Sequence, residues 1–286
     1  MSSFEQMYIT KANGDRELFD ALKLLRSLTR SGAADKAAHK VVDHIVKELK
    51  DGMSTTYIYR HAFSLLRKIE EQPVAARYSL RRAILELGPT GFPFEDYIAE
   101  IFSGLGYKTA TGQIVKGKCA NHEVDMVAHK ENRCIGAEIK FHNSLGIKTD
   151  LKVALYVHAR FEDIKGNLCL QEGGSGKDEG WLITNTKFTK NAIAYGRCAN
   201  LTLLGWNYPK KGNLSDLIKE TVVYPITTLS TLTHTEKRAL LGAGVVLCRN
   251  LGSDREILAR AGVKASKIAT VIAESQALCS AGHRIE

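Results

Sequence analysis

The sequence predicts a multidomain α/β protein. It should have an N-terminal β-ribbon with helices, a central mixed-sheet α/β domain and a small C-terminal helical domain. The chain of 286 residues is longer than a typical domain with one hydrophobic core. Strand-like alternation is concentrated in the middle of the chain, whereas the residues after Pro225 show helical spacing and no strand pattern. We place the domains at 1–88, 91–222 and 223–286.

The first segment opens with a hairpin pattern. Residues 7–11 and 15–19 flank Asn13-Gly14, a dipeptide that favours a type I′ turn. Apolar residues then recur at helical spacing. The helices expected from this spacing lie at 18–28, 41–49, 54–70 and 73–87. Gly88-Pro89-Thr90-Gly91 is the clearest break, because proline and glycine together end the preceding helix.

The central segment mixes helices and strands, and the last segment is helical. We expect strands at 107–111, 122–129, 133–141, 181–184 and 201–204, and helices at 92–105, 148–165, 233–250, 254–261 and 264–279. Ala261-Gly262-Val263 should form the turn between the last two helices. Gly173-Gly174-Ser175-Gly176 reads as a flexible loop, because a phosphate loop needs Lys-Ser or Lys-Thr after a wider glycine spacing.

Charge, apolar runs and cysteine spacing indicate which partners and which compartment to expect. The net charge of +9 favours polyanionic partners. No apolar run approaches the roughly 18 residues of a membrane span, and the first residues lack a secretory pattern. We therefore expect a cytoplasmic protein without membrane contacts. Six scattered cysteines offer no zinc spacing, and we expect them to be reduced structural thiols.

The most informative pattern is a pair of alternating runs, residues 122–129 and 134–141. A two-residue turn at Glu131-Asn132 would make them antiparallel neighbours. The apolar pairs would then be Val124 with Ile139, Met126 with Ala137, and Ala128 with Ile135. On the other face, Asp125 would lie across from Glu138, with Cβ atoms roughly 5 Å apart. Lys140 would lie on that same face.

Two carboxylates at that distance repel each other unless a cation or a proton intervenes. A divalent metal bound by Asp125 and Glu138 would remove the repulsion, and Mg²⁺ suits such a site because it also accepts phosphate oxygens. Lys140 would orient or deprotonate water, or stabilise the charge of the transition state. We expect His122 and His142 to be neighbours or phosphate contacts rather than metal ligands, and Glu123 to be a spare acid.

Asp125, followed by Glu138-Ile139-Lys140, resembles the Asp…Glu-x-Lys core of PD-(D/E)xK nucleases, with Val124 in place of the motif's proline. Gly91-Phe92-Pro93-Phe94-Glu95 and Ile183-Thr184-Asn185-Thr186-Lys187-Phe188 resemble segments of the Mrr-type branch. The resemblance covers about residues 91–207. It implies a restriction-endonuclease-like domain, metal-dependent DNA cleavage with Mg²⁺ or Mn²⁺, and Glu95 as a further acidic active-site residue.

The N-terminal segment resembles an ATP-cone, a nucleotide-sensing domain. Lys11-Ala12-Asn13-Gly14, Glu17-Leu18-Phe19-Asp20 and Lys23 look like its start, with Ala12 in place of the usual basic residue. The stretch from Val74 to Arg82 resembles its final helix. The resemblance implies ATP or dATP as a regulatory ligand. It assigns nucleotide binding to Lys11, Glu17, Asp20, Lys23 and Arg81.

The stretch from Asp254 to Val263, with Ile268 and Val271, resembles a helix-hairpin-helix DNA-binding element, but its spacing also suits an ordinary helical bundle. These patterns together predict a homo-oligomeric metal-dependent DNA endonuclease, controlled by a nucleotide effector. Two alternatives stay open. One is a non-catalytic, nucleotide-responsive DNA-binding regulator, and the other is a self-associating structural module.

Overall fold

The structure is a computed structural model that describes residues 7–88, 90–169, 176–252 and 254–280. Residues 173–175 of the predicted flexible loop at 173–176, and Pro89 of the predicted break at 88–91, lie outside these residues. Within the described chain, additional short elements lie between the predicted ones. The domain bounds at 1–88, 91–222 and 223–286 stay predictions.

The N-terminal unit combines a small sheet with four helices. Its elements are β1 (Tyr8–Thr10), β2 (Arg16–Leu18), α1 (Ala21–Arg30), α2 (Asp35–Glu48), β3 (Met53–Ser54), α3 (Thr55–Ile69) and α4 (Gln72–Leu85). The strand order is β2-β1-β3, and β3 pairs in parallel with β1. The sequence pattern predicted the hairpin and the four helices but not the two-residue strand β3.

The turn of the first hairpin differs from the prediction. A type I′ turn needs positive φ at both central residues. Gly14 has φ 85°, but Asn13 is not among the residues with positive φ. The N–H of Lys11 donates to the carbonyl of Asp15 (2.8 Å), and the N–H of Gly14 donates to the carbonyl of Lys11 (3.0 Å). Asn-Gly therefore ends a three-residue loop here rather than forming a two-residue turn.

The central unit is built on a five-stranded mixed sheet. Its elements are α5 (Phe92–Gly104), β4 (Lys108–Lys116), β5 (Asn121–Lys130), β6 (Arg133–Lys140), β7 (Lys148–Thr149), α6 (Leu151–Ile164), β8 (Lys177–Thr184), β9 (Lys187–Phe188), α7 (Lys190–Cys198), β10 (Thr202–Leu204) and α8 (Leu214–Thr221). The sheet order is β10-β8-β6-β5-β4. Strands β4, β5 and β6 are antiparallel neighbours, whereas β6, β8 and β10 run parallel. The predicted strands are present; α7, α8 and the β7–β9 pair were not predicted.

Helices cover both faces of this sheet. On one face, α6 and α7 pack against the strands in a cluster that includes Val157, Phe161 and Ala192. On the other face, α5 and α8 share a second cluster with the C-terminal helices and with part of α4. A third cluster fills the N-terminal unit. Strand β6 therefore lies in the middle of a layered domain, where its C-terminal end is partly shielded from water.

Two glycines allow α6 to approach the sheet closely. A Cβ added at Gly136 would lie 2.7 Å from the ring of Phe161, and one added at Gly180 would lie 2.8 Å from the same ring. Gly136 and Gly180 are register partners in the parallel pair β6–β8. Their missing side chains leave the space that the Phe161 ring occupies, and this fixes the position of α6.

The C-terminal unit is helical, with α9 (His234–Gly242), α10 (Arg255–Arg260) and α11 (Ala265–Ser280), and with short 3-10 helices at Ile226–Thr228 and Cys248–Leu251. The predicted single helix at 233–250 is wrong, because α9 ends at Gly242 and Gly244 adopts φ 79°. The predicted turn at Ala261-Gly262-Val263 is confirmed, with φ 83° at Gly262. Buried Glu274 accepts the backbone N–H groups of Ser230 (2.7 Å) and Thr231 (2.9 Å), which ties α11 to the preceding segment.

The prediction that all cysteines are reduced thiols is wrong at one pair. Cys134 of β6 and Cys169 form a disulfide. Nearby, Asp178 accepts the backbone N–H groups of Gly166 (2.7 Å), Leu168 (3.1 Å) and Cys169 (3.2 Å). The residues after α6 are therefore fixed to the sheet by a covalent bond and by a carboxylate.

Candidate functional site

Three elements bring the predicted catalytic residues together. Asp125 lies on β5, Glu138 and Lys140 lie on β6, and Glu95 lies in the first turn of α5. The predicted hairpin register is confirmed over most of its length, because Met126 pairs with Ala137 and Lys130 pairs with Arg133. The two-residue turn at 131–132 therefore fixes which side chains can meet at the far end of the hairpin.

At that far end the geometry departs from the prediction. Pairing between β5 and β6 ends at Met126–Ala137, one pair before Asp125 and Glu138. The carboxylate of Asp125 instead accepts the backbone N–H of Ile139, with an N–O distance of 2.6 Å. Val124 packs in the core cluster on the α6 side, whereas Ile139 packs on the other side. The prediction of one uniformly apolar face is wrong at this position.

Glu138 is held by two cations. The residue is 3% exposed; one carboxylate oxygen pairs with the ammonium group of Lys140 and the other pairs with the guanidinium of Arg160. Arg160 also donates to the carbonyl of Glu123 (3.0 Å), and its Nε has no hydrogen-bond partner among the described residues. Sequence reasoning missed Arg160, because helical spacing in α6 does not reveal which strand residue it faces.

Burial and neighbouring charges shift the pKa values of two acidic groups near Lys140. Burial raises the pKa of Glu95 to about 7, and Asp125 contributes to the rise while Lys140 opposes it. Burial also raises the pKa of Asp125. The N–H of Ile139 opposes that rise, and the charge of Glu138 adds to it. The charge of Asp125 acts on Glu95, and that of Glu138 acts on Asp125, so we name these three residues the carboxylate cluster.

The two histidines beside the cluster have structural partners. His122 shares a hydrogen bond with Asp163 (2.7 Å), which helps to hold the pKa of Asp163 well below its usual range. His142 shares a hydrogen bond with Thr149 (3.0 Å), and its backbone N–H donates to the side chain of Asn185 (2.9 Å). Whether these residues are neighbours or phosphate contacts rather than metal ligands stays a prediction.

Predicted nucleotide-binding residues gather at the first hairpin. Lys11 pairs with Glu17 at 2.7 Å, and Lys23 approaches the same carboxylate at 3.6 Å. Asp20 caps α1 by accepting the N–H groups of the second and third helical residues, which gives it a structural role. Arg81 lies on α4, and its guanidinium is directed towards Trp206 of the central unit rather than towards the hairpin carboxylate.

Among the described residues, two groups of three His, Cys, Asp or Glu side chains have ligand atoms that all lie within 4.8 Å of one another. One contains the disulfide cysteines and Asp178. The other joins His44 and Glu48 of α2 to His61 of α3, with His–Glu distances of 3.1 and 3.4 Å. Sequence reasoning missed this trio, because its third member comes from another helix. The carboxylate cluster is not one of these two groups.

This chain is similar in sequence to another protein and to a family model, and in structure to a solved protein. It is 36% identical over 180 residues to an uncharacterized protein of Archaeoglobus fulgidus, covering 63% of this chain and 98% of that protein. A family model described as AF1548-like, C-terminal, matches residues 224–279. The chain belongs to the AF1548-like family. A crystal structure of AF1548, described as a protein of unknown function, has 33% sequence identity and a TM-score of 0.51. The match covers 67% of this chain and all of that one.

A second family model, the ATP cone domain, matches residues 7–86 of this AF1548-like protein. This confirms the resemblance seen in the first segment and indicates regulation by a bound nucleotide. Across the described residues, no helix combines the length and apolarity needed to cross a membrane. The resemblance of the central unit to Mrr-type nucleases stays a prediction, as does DNA contact by the C-terminal helices.

Proposed function

We propose that this protein is a metal-dependent DNA endonuclease whose activity is regulated by ATP or dATP bound to its ATP cone domain. The observation that carries the proposal is the carboxylate cluster around Lys140 at the end of β6. Burial is the main reason that the pKa values of Glu95 and Asp125 are raised, and the charge of a neighbouring carboxylate adds to each rise. A cation bound beside these carboxylates would favour their ionised forms.

The donor set fits a hard divalent ion such as Mg²⁺ or Mn²⁺. Asp125 has one oxygen bonded to the N–H of Ile139, which leaves the other for a ligand. Glu95 supplies a second carboxylate, and Glu138 would supply a third if the ion displaced Lys140 or Arg160 from one of its oxygens. When bound, such an ion polarises a phosphate and lowers the pKa of water. The residues that would hold it are Asp125, Glu138 and Glu95.

The other groups of the site have roles that follow from their contacts. Lys140 is partly exposed, with 37% of its side chain accessible, so its ammonium group can reach a phosphate or a water molecule. Arg160 is more enclosed, and its ion pair with the buried carboxylate of Glu138 holds that carboxylate in position. We assign Lys140 to charge stabilisation at the scissile phosphate and Arg160 to positioning of Glu138.

Plasmid cleavage tests this proposal. The full chain is incubated with supercoiled DNA and Mg²⁺ or Mn²⁺, with and without ATP, beside Asp125→Asn and Lys140→Met. Loss of one such group should lower the cleavage rate roughly 100-fold or more. Lys190→Met and Glu220→Gln, at exposed positions outside the site, are the matched controls. Equal cleavage by all five proteins, or none by the unmodified chain, contradicts the catalytic assignment.

One observation favours the alternative of a non-catalytic, nucleotide-responsive DNA-binding regulator. Both oxygens of Glu138 are already paired with cations, so the site can be stable without a metal. This alternative predicts DNA retention in a mobility-shift assay that responds to ATP, with no cleavage in any divalent ion. The same plasmid assay, run beside the binding assay, separates the two functions.

A further inference from the structure

The ATP cone domain and the central unit meet at a close contact beside the first hairpin. A Cβ added at Gly146, in the loop before β7, would lie 2.9 Å from the Cβ of Asn13. Asn13 is two residues from Lys11, and Gly146 is two residues from Lys148. The contact therefore brings the hairpin lysine close to a lysine of the central unit.

Lys148 has a second lysine beside it. The short strands β7 and β9 are parallel, and Lys148 and Lys187 are register partners in this pair. Neighbouring strands lie about 4.8 Å apart, so the two side chains start from adjacent backbone positions. Like charges at this distance repel unless an anion lies between them.

Arg81 of the ATP cone domain completes the boundary from the other side. Its guanidinium carbon lies 5.9 Å from the centre of the Trp206 ring. The backbone N–H of Trp206 donates to the backbone carbonyl of Thr186 (2.9 Å), the residue before Lys187. The Nε and one terminal nitrogen of Arg81 are buried and have no hydrogen-bond partner among the described residues. Such buried donors are costly unless a ligand accepts them.

The electrostatics agree with this geometry. The pKa of Lys187 is lowered by burial first, and then by the charges of Arg81, Lys148 and Lys11. Glu17 is the acidic group that opposes these effects. The charges of Arg81, Lys148 and Lys11 therefore all act on Lys187. The opposing carboxylate of Glu17 is already paired with Lys11.

We propose that the polyphosphate chain of a nucleoside triphosphate binds at this boundary, where Lys148 and Lys187 of the central unit join Lys11 and Arg81 of the ATP cone domain. The inference rests on nucleotide binding in the proposed function. It adds that the ligand bridges two units of the chain, since neither Lys148 nor Lys187 belongs to the matched residues 7–86.

This position gives the nucleotide a direct connection to the carboxylate cluster. The turn before Lys187 begins at Thr184, whose hydroxyl donates to the backbone carbonyl of Lys140 (2.9 Å). Its next residue, Asn185, donates to the carbonyl of His142 (2.8 Å). Phosphate contact with Lys187 would therefore bias the segment that positions Lys140, which is the route by which nucleotide binding regulates the site.

Calorimetric titration of the full chain with ATP and with AMP tests the inference. AMP lacks the outer phosphates, so the affinity for AMP should depend little on Lys148 and Lys187. Lys148→Met and Lys187→Met should each weaken ATP binding roughly 10- to 100-fold, the expected loss of a charge-assisted hydrogen bond. AMP binding should change less than about twofold, and Lys187→Arg should retain most of the ATP affinity. Lys190→Met and Lys152→Met are the matched controls.

The outcomes separate this inference from the proposed function. If Lys11→Met weakens ATP binding while Lys148→Met and Lys187→Met do not, the ligand lies within the ATP cone domain alone and the bridging inference is overturned. If the two lysine substitutions weaken ATP binding and AMP binding equally, the lysines stabilise the fold rather than contact the outer phosphates. The inference is then also overturned. If the unmodified chain binds neither ATP nor dATP, nucleotide regulation in the proposed function fails as well.

Discussion

Glu95, in the carboxylate cluster, has a pKa well above the ordinary value of a glutamate. Its pKa is raised from 4.5 to about 7, chiefly because burial penalises the charged form. Between these two values the folded protein holds a proton that the unfolded chain has lost. Unfolding then releases this proton, so raising the pH across this window favours the unfolded state.

We therefore expect the contribution of Glu95 to the free energy of unfolding to fall as pH rises from about 4.5 to about 7, so that the pH slope of this free energy is more negative in the unmodified chain than in Glu95→Gln. Urea unfolding at several pH values measures the difference between the two proteins. Glu220→Gln, at an exposed position, is the control. Mg²⁺ should reduce the difference, because a cation favours the ionised carboxylate. Identical pH slopes for the unmodified chain and Glu95→Gln would show that Glu95 is not perturbed.

Arg160 offers a second test at the residue scale. Arg160→Met leaves the buried carboxylate of Glu138 with Lys140 as its remaining cationic partner, so we expect a loss of about 1.5–3 kcal/mol in the free energy of unfolding. The same change in a Glu138→Gln background should cost less, because the uncompensated charge is gone. A double-mutant cycle by urea unfolding measures this coupling, and additive effects would contradict the ion pair.

These residues also show what a sequence can reveal about a site. Period-two alternation and a short turn place Asp125, Glu138 and Lys140 at one end of a hairpin, because register follows from turn length. They do not reveal that Asp125 bonds to the backbone of β6. Nor do they reveal Arg160, since contact between a helix and a sheet depends on packing that no local pattern encodes.

At the scale of elements, the position of α6 determines where Arg160 lies. Phe161 follows Arg160 directly, and its ring occupies the space above Gly136 and Gly180. A helix held this close to the sheet brings its neighbouring arginine to the carboxylate of Glu138. The two glycines on adjacent strands therefore contribute to the site although they carry no side chain.

Gly180→Ala should destabilise the protein by about 1–3 kcal/mol, because the added methyl group overpacks the Phe161 ring. Thermal unfolding measures this loss, and Phe161→Leu in the same chain should restore part of it by shortening the opposing side chain. Gly242→Ala provides a control, since a Cβ there meets nothing within 4 Å. Failure of Phe161→Leu to restore stability would contradict this packing account.

Most of the longer helices and the strands of the five-stranded sheet were predicted from sequence. The helices α7 and α8 were missed, and β3, β7 and β9 are two residues long and too short to show alternation. Apolar residues continue past Gly242, which produced the wrong prediction of one helix at 233–250. The disulfide between Cys134 and Cys169 depends on a tertiary approach that spacing alone does not encode.

At the scale of the whole molecule, α4 joins the ATP cone domain to the rest of the chain. Its first turns contribute Val74 and Ala75 to the N-terminal core, whereas Leu80 and Ile84 lie in the core shared with α5 and the C-terminal helices. One helix therefore belongs to two hydrophobic cores. A ligand that stabilises the first core should also stabilise the second, because α4 cannot leave one without disturbing the other.

The two tryptophans, Trp181 and Trp206, allow a test of this coupling, because both lie in the central unit. We expect ATP at 100 times its dissociation constant to stabilise the protein by about 2.7 kcal/mol. The increase should appear in unfolding followed by tryptophan fluorescence. Lys11→Met, compared at the same ATP concentration, should lose most of this increase. If ATP binds but tryptophan-monitored unfolding does not change, the ATP cone domain unfolds independently and α4 does not couple the two cores.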